Sequence, residues 1–205
     1  MVTILLATLN GEDYLKAQLE SIAAQTYENW QLVVGDDGST DGTISILEEF
    51  SKQYPEQVTI IKNDPPQGSA KDNFISLIQN SYGPYFMFCD QDDVWLDKKI
   101  ELTCDKMLTI ENKADVPCLV YTELRVVDSE LNTIADTMSE YQSLDCHKRT
   151  INQFILQNSV TGCTMMVNMA LRDKMLHITD IDNTIMHDWW GSTCSRTVWK
   201  NSIHR

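Results

Sequence analysis

Three carboxylates fall within four positions near the middle of the chain. Asp90, Asp92 and Asp93 directly follow the apolar run Tyr85-Phe86-Met87-Phe88-Cys89, which has the length and aromatic content of a buried strand. Like charges crowded at the end of a buried strand repel one another, so we expect a cation there. Carboxylate oxygens suit Mg²⁺ or Mn²⁺. The alternative is a solvated acidic turn.

The spacing of the three acids assigns them different roles. Asp90 and Asp92 are two positions apart, so they point to the same side if the strand conformation continues that far. We therefore predict both as metal ligands. Asp93 would then point away and could cap the next helix, which we expect to start near Trp95.

A second pair of acids follows another predicted strand, at residues 30–35. Asp36 and Asp37 are followed by Gly38 and Gly42, which allow tight turning and a close approach of the backbone. A carboxylate here could accept a hydrogen bond from a nucleotide base or a ribose hydroxyl. A turn with helix caps remains the alternative.

Other polar residues stand where strands end or helices begin. Thr8 and Asn10 end the first strand and could contact a nucleotide, although Thr-x-Asn-Gly is also ordinary turn chemistry. Lys71 follows Gly68 in a loop-to-helix transition and could meet a phosphate, or it could simply be solvated.

Asp188 is the fourth acid of interest, between His187 and the pair Trp189-Trp190. Apolar aromatic neighbours could raise the pKa of its carboxyl and make it a workable general base. An N-cap on a short buried helix explains it equally well. His187 has no metal ligand at a spacing typical of zinc sites.

The elements that must position these residues alternate along the first half of the chain. Strands are predicted at 2–7, 30–35, 58–61 and 85–89, and apolar residues recur at helical spacing within 12–25, 44–50 and 74–78. This alternation predicts an α/β fold with a parallel sheet and helices on both faces. Ligands bind at the carboxyl ends of strands in such sheets, which is where the polar clusters lie.

The second half is less regular. We predict helices at 98–110, 150–157 and 170–176, strands at 119–127 and 163–167, a loop or flap at 134–148, and a polar turn at 180–183.

Composition excludes several classes of protein. The 205 residues carry 16 Lys+Arg against 30 Asp+Glu, a formal net charge of −14, which argues against a nucleic-acid partner. No apolar run approaches the roughly 18–20 residues of a membrane span. The N-terminus reads as a strand, not a signal peptide, so we expect a cytoplasmic protein. The six cysteines form no C-x-x-C pair, and we expect free thiols.

Taken together, the motifs ATLNGEDYLKAQLESIAAQTYENWQLVVGDDGSTDGT, DQDDVW and MHDWW resemble those of the inverting nucleotide-sugar glycosyltransferases of family 2. The resemblance spans residues 1–190. It implies the GT-A fold, a Rossmann-like, mostly parallel sheet flanked by helices. With LVYTELRVVD and TGCTMMVN, the chain looks most like bacterial rhamnosyltransferases that build cell-wall or capsular polysaccharides.

The resemblance implies a role for each matching residue. Thr8, Asn10 and Asp37 would bind the nucleotide, Asp90 would lie near the ribose and diphosphate, Asp92 would coordinate Mg²⁺ or Mn²⁺, and Asp188 would be the catalytic base. Gly162 and its neighbours would line the acceptor side. The donor would be a dTDP- or UDP-sugar, rhamnose first. The acceptor would be a glycan or a lipid-linked saccharide, with peripheral association at the inner face of the plasma membrane.

The resemblance also divides the chain. Residues 1–190 would form the GT-A domain, with a nucleotide-binding half at 1–112 and an acceptor-side half at 113–190. Residues 191–205 form a basic tail without helical periodicity, which looks like a truncation. We therefore expect the helix that seats Asp188 to be missing or altered.

Two other functions remain open. A truncated, non-catalytic remnant that binds a nucleotide-sugar is the alternative reading of the shortened chain. A nucleotidyltransferase would show a glycine-rich, basic phosphate loop after the first strand, and Thr8-Leu9-Asn10-Gly11-Glu12 is not one.

Overall fold

The computed structural model describes residues 1–111, 115–143, 160–177, 186–195 and 197–201, the last range by its backbone alone. The strands are β1 (Val2–Thr8), β2 (Trp30–Asp36), β3 (Val58–Lys62), β4 (Tyr85–Asp90), β5 (Cys118–Thr122), β6 (Val126–Val127), β7 (Thr133–Ala135), β8 (Met165–Asn168) and β9 (Thr197–Asn201). The helices are α1 (Leu15–Ala23), α2 (Thr43–Gln53), α3 (Ala70–Gln79), α4 (Lys99–Ile110), α5 (Met138–Tyr141), α6 (Met169–Leu176) and α7 (His187–Cys194), with a 3₁₀ turn at Gly162–Thr164.

The central sheet has the order β3-β2-β1-β4-β8-β5-β9. Strands β1 to β4 pair in parallel, as the alternation of elements predicts. Thr8 is in register with Asp36 on one side of β1, and Ala7 with Asp90 on the other. The carboxyl ends of three adjacent strands therefore lie level with one another, which confirms the predicted shared edge.

Strand β8 is the exception to the parallel arrangement. It runs antiparallel to both β4 and β5, and β9 then pairs in parallel with β5. Only the pairing partners decide the direction of a strand, so local sequence could not show this reversal. The sheet is nevertheless mostly parallel and flanked by helices, which confirms the predicted fold class.

Helices cover both faces of the sheet, and the strands alternate their side chains between them. Val2, Ile4 and Leu6 pack with α1, α2 and α4, whereas Leu5 packs with α3 and α6. All four of these strand side chains are fully buried. Complete burial of one such side chain stabilises a fold by about 1.5–3 kcal/mol, so this layer contributes strongly to the stability of the sheet.

The helix that carries Asp188 is present, contrary to the expectation that it is missing. Helix α7 runs through that residue to Cys194, and residues 197–201 add a strand to the sheet. The buried face of α7 is formed by His187, Gly191 and Ser192, at helical spacing but without large apolar side chains. Hydrophobic periodicity therefore does not reveal this helix.

Three smaller expectations also need correction. The helix expected near Trp95 starts at Lys99. The segment predicted as a loop or flap contains β7, which pairs with β6, and α5. The strand predicted at 119–127 ends at Thr122.

The predicted helix at 150–157, the turn at 180–183 and Cys146 lie outside the described residues. The five described cysteines are free thiols, as expected. No helix within the described ranges is long and apolar enough to cross a bilayer.

Candidate active site

A cavity of about 470 Å³ opens at the carboxyl ends of β1, β2 and β4. This volume lies within the roughly 300–1,000 Å³ typical of small-molecule sites. Its wall is formed mostly by acids, amides and small residues. The lining residues are Ala7, Thr8, Leu9, Asp37, Pro66, Gly68, Ser69, Ala70, Asn73, Asp90, Gln91 and Asp92. The structure thus brings together Thr8, Asp37, Asp90 and Asp92 from three separate segments of the chain.

A second group of side chains adjoins this cavity. One carboxylate oxygen of Asp90, one of Asp93 and the Sγ atom of Cys163 all lie within 4.8 Å of one another. The expectation that Asp93 points away is therefore wrong. Strand β4 ends at Asp90 and the chain turns immediately, so the strand alternation on which that expectation relied does not continue. Asp92 is exposed at the cavity wall.

Burial and mutual repulsion govern the charge of these acids. Burial is the largest cause that raises the pKa of Asp90 to about 7, and repulsion from Asp93, Asp92 and Asp188 contributes to that rise in decreasing order. Burial also raises the pKa of Asp93, against the opposing effects of a hydrogen bond with Cys163 and the Lys99 ammonium. The cluster therefore carries carboxylates that are costly to ionise without a positive partner.

Lys99 supplies part of that positive charge. Its Nζ donates to the backbone oxygen of Cys163 at 3.1 Å and lies 4.9 Å from the centroid of a Trp95 ring. The ammonium is thus fixed beside Asp93, at the start of α4. The sequence predicts no role for Lys99, because its contact with Cys163 depends on tertiary packing.

The donor set fits a divalent cation with oxygen ligands. Asp90 and Asp92 share the cavity wall, Asp93 adjoins Asp90, and a cation would relieve the repulsion that raises the pKa of Asp90. The soft Cys163 thiol is the least suitable member for Mg²⁺ or Mn²⁺. Burial and the two nearby carboxylates raise its pKa, so it stays a protonated hydrogen-bond donor.

The two acids after β2 have different tasks. Asp36 is buried and organises the turn: it accepts hydrogen bonds from the Thr8 hydroxyl and from the backbone and hydroxyl of Ser39. Asp37 lines the cavity. Its Oδ1 accepts from Asn63 Nδ2 and Gln67 N, and its Oδ2 accepts from Gly68 N at 2.9 Å.

The other two predicted nucleotide contacts, Asn10 and Lys71, do not line the cavity. Asn10 is exposed, and its Oδ1 accepts from Thr40 N at 2.9 Å. Lys71 lies in the first turn of α3, with its Nζ 3.8 Å from Asp72 Oδ1, and does not belong to the cavity wall. Their contacts with a nucleotide stay predictions.

The loop after β1 is held by other loops through four successive backbone amides. Leu9 N donates to Gln91 Oε1, and the next three amides donate to side chains of the β2–α2 region, Ser39, Thr43 and Asp41. These amides already donate hydrogen bonds within the protein, so they do not form a phosphate-binding loop. This argues further against a nucleotidyltransferase, which would need such a loop after the first strand.

Asp188 lies in the first turn of α7. Burial raises the pKa of its carboxyl, while the backbone amides of Trp189 and Gly162 donate hydrogen bonds to it and lower that pKa. Asp188 also lies close enough to Asp90 to raise the pKa of that acid. The predicted base and the predicted metal cluster, about a hundred residues apart in sequence, are therefore neighbours.

His187 anchors this turn inside an aromatic stack. Its ring centroid lies 4.2 Å from that of Phe74 and 4.9 Å from that of Phe88. Neither ring nitrogen has a hydrogen-bond partner among the described residues. A Cβ added at Gly162 would lie 2.7 Å from His187 Nε2. Only glycine fits this close approach, and no sequence pattern predicts the contact between Gly162 and His187.

The geometry agrees with comparisons to known proteins. The family model described as Glycosyl transferase family 2 matches residues 3–176. The chain belongs to glycosyl transferase family 2. This confirms the family predicted from the motifs.

Among family 2 relatives, the dTDP-rhamnosyl transferase RfbG of Shigella flexneri is 30% identical over 203 residues. That alignment covers 94% of this chain and 65% of RfbG. The chain therefore spans about two thirds of the length of this relative.

Solved structures support the GT-A fold. S. aureus TarS 1-349 in complex with UDP matches with a TM-score of 0.65 and 16% identity, covering 99% of this chain and 58% of TarS. The mannosyltransferase PcManGT from Pyrobaculum calidifontis, in complex with GDP-Man and Mn²⁺, matches with a TM-score of 0.61 and 18% identity. That match covers 85% of this chain and 46% of PcManGT.

Proposed function

We propose that this chain transfers a sugar from a nucleoside diphosphate to a hydroxyl group of an acceptor, with inversion of configuration. The observation that carries this proposal is that Asp188 lies close enough to Asp90, which lines the cavity, to raise the pKa of that acid. A base and a site for the donor diphosphate must lie next to each other for direct displacement at one carbon atom. No enzyme nucleophile is required.

The nucleotide would occupy the cavity over the ends of β1 and β2. Asp37 Oδ2 accepts a single described hydrogen bond, from Gly68, so it keeps lone pairs for a base N–H. We therefore propose a pyrimidine contact at Asp37, with Thr8 in the wall beside it. A dTDP- or UDP-sugar is the donor we favour, and rhamnose is the first choice because RfbG is named a dTDP-rhamnosyl transferase.

Asp90 and Asp92 would hold Mg²⁺ or Mn²⁺, with Asp93 beside them. When bound, such an ion supplies neutralisation of the charge that develops on the leaving diphosphate. The Mn²⁺ complex of PcManGT supports this assignment for the fold, and the acid cluster supports it for this chain.

Asp188 would accept the proton of the attacking hydroxyl. Burial raises the pKa of its carboxyl and so strengthens it as a base, and the Gly162 amide orients it. The attack would come from the face of the sugar opposite the leaving group, as in inverting glycoside hydrolysis. Gly162 and its neighbours would line the acceptor side.

The acceptor class follows from the family resemblance alone. We propose a glycan or a lipid-linked saccharide. In the second case the protein would work in the cytoplasm at the inner face of the plasma membrane.

The test is a screen of nucleoside diphosphate-sugars with and without Mn²⁺, run on this chain and on Asp188→Asn. We expect Asp188→Asn to keep donor affinity and to lose transfer by roughly 10²–10⁴-fold, the usual contribution of a general base. Asp105→Asn, an exposed acid of α4, is the matched control and should keep both.

Three outcomes separate the alternatives. Full transfer by Asp188→Asn would remove this residue as the base. If a nucleotide raises the melting temperature of the unmodified chain but no donor is turned over, the non-catalytic alternative that only binds a nucleotide-sugar would be favoured. Failure of every donor to bind would contradict the proposed function as a whole.

A further inference from the structure

The side chain of Gln91 pairs with both backbone groups of a single residue. Its Oε1 accepts from Leu9 N at 2.9 Å, and its Nε2 donates to Leu9 O at 3.2 Å. Strands β1 and β4 pair up to Ala7 and Asp90. The carboxamide therefore continues the hydrogen bonding between these chain segments beyond the point where both strands end.

The loop at residues 9–12 packs closely around this carboxamide. A Cβ added at Gly11 would overlap Gln91 Oε1, so a larger residue at position 11 requires the carboxamide to move. The other amides of the loop donate to side chains near the start of α2. Gln91 provides the corresponding link to the segment that carries Asp90, Asp92 and Asp93.

Gln91 also lines the cavity between the two halves of the site. On one side are Thr8 and Leu9, beside the nucleotide contacts proposed above. On the other are Asp90 and Asp92, the proposed metal ligands. A movement of the acid segment therefore reaches the loop at 9–12 through two direct hydrogen bonds.

We propose that Gln91 is a positioning residue that couples cation binding at the acid cluster to nucleotide binding at the loop 9–12. When the acids hold a cation, residues 90–93 are fixed in one arrangement, and the pair with Gln91 fixes Leu9 at the cavity wall as well. A nucleotide in the cavity then meets Leu9 in a fixed position, which costs less conformational entropy. The effect is reciprocal, because coupling between two binding sites is symmetric. This inference rests on the proposed function.

The experiment compares the affinity for UDP and dTDP with and without Mn²⁺ by calorimetry. In the unmodified chain we expect Mn²⁺ to raise nucleotide affinity. In Gln91→Leu, which removes both hydrogen bonds, we expect this ratio of affinities to fall by about fivefold or more, the lower range of typical coupling. Gln91→Glu keeps an acceptor for Leu9 N but loses the donor to Leu9 O, so it should fall between.

Gln25→Leu is the matched control. The Gln25 carboxamide bridges in the same way, since its Oε1 accepts from Ile100 N and its Nε2 donates to Leu96 O at 2.8 Å. It lies outside the cavity wall. We expect this variant to melt at a lower temperature with an unchanged affinity ratio, which separates coupling from general destabilisation.

Gly11→Ala is a second route if Gln91→Leu does not fold. It displaces the carboxamide from the loop side and should lower the same ratio. An unchanged ratio in folded Gln91→Leu, or in Gly11→Ala where the first variant fails, overturns the inference. So does a nucleotide affinity that is independent of Mn²⁺ in the unmodified chain. Binding of neither nucleotide to the unmodified chain would instead contradict the proposed function, and this inference with it.

Discussion

One carboxylate oxygen of Asp93 lies within 4.8 Å of one of Asp90, and the Cys163 sulfur completes the group. Two acids this close in a buried place cannot both ionise without cost. Burial is the largest cause of the raised pKa of both carboxyls, and repulsion from Asp93 adds to it at Asp90. The site therefore favours the binding of a positive charge. This property can be measured without any sugar donor or acceptor.

The first prediction concerns the stability of the metal-free protein. The pKa of Asp90 is raised to about 7 in the folded chain, so between pH 4 and 7 the folded state binds a proton that the unfolded state does not. The contribution of Asp90 is thus favourable at low pH and is lost as the pH rises through 7. We expect the free energy of unfolding, relative to Asp90→Asn, to fall by roughly 2–4 kcal/mol from pH 4 to pH 8.

Urea titrations of both proteins in the presence of a chelator would measure this difference. Parallel pH profiles for the two proteins would show that the Asp90 carboxyl is not perturbed.

The second prediction separates the acids as metal ligands. We expect Asp92→Ala to abolish the Mn²⁺ dependence of UDP or dTDP binding. Asp93 already accepts a hydrogen bond from Cys163, so we expect Asp93→Ala to weaken Mn²⁺ binding by about tenfold, as for a residue that supports metal ligands. Calorimetric titration with Mn²⁺ measures both. Asp97→Ala removes an exposed acid of the same segment and serves as the control. Unchanged Mn²⁺ dependence in Asp92→Ala would disprove the metal assignment.

The third prediction concerns the contact between Gly162 and His187. In Gly162→Ala the new Cβ would meet His187 Nε2 at 2.7 Å and push the first turn of α7, which carries Asp188. We expect a loss of roughly 1–3 kcal/mol in stability, as for other overpacked sites, together with reduced transfer.

Gly191→Ala provides the comparison within the same helix. Its Cβ would lie 3.3 Å from the flexible end of Met175, which can move aside. We expect a smaller effect on stability and little on transfer. Equal effects of the two substitutions on transfer would argue against a role for Gly162 in placing Asp188.

The fourth prediction concerns the protonation of His187. Burial lowers the pKa of this imidazole to about 3, so between pH 3 and 6.5 the unfolded chain binds a proton that the folded chain does not. Its contribution to stability is present above pH 6.5 and is lost as the pH falls, opposite in sign to that of Asp90. In His187→Phe, which keeps an aromatic ring against Phe74 and Phe88, we expect a weaker loss of stability on acidification to pH 4.

Thermal unfolding at a series of pH values would compare this variant with the unmodified chain. A difference between the two that does not change with pH would show that His187 is not held neutral in the folded state.

Much of the fold could be predicted because its signals are local. The alternation of apolar strands and amphipathic helices over residues 1–110 specified the parallel half of the sheet, and polar residues at the strand ends indicated the edge where the cavity lies. The motifs specified the family. The direction of β8 and the helix across Trp190 could not be predicted in this way, because pairing partners and packing of small residues determine them.

The sequence by itself determined which residue types stand at the ends of β1, β2 and β4, and therefore the α/β class, the site edge and the candidate acids. Only the tertiary structure decided which of them meet. It placed Asp93 beside Asp90, joined Gln91 to Leu9, and set Asp188 next to a cluster distant in sequence. The physical reason is that side-chain direction beyond a strand end follows the turn and its packing, and neither has a period that a sequence displays.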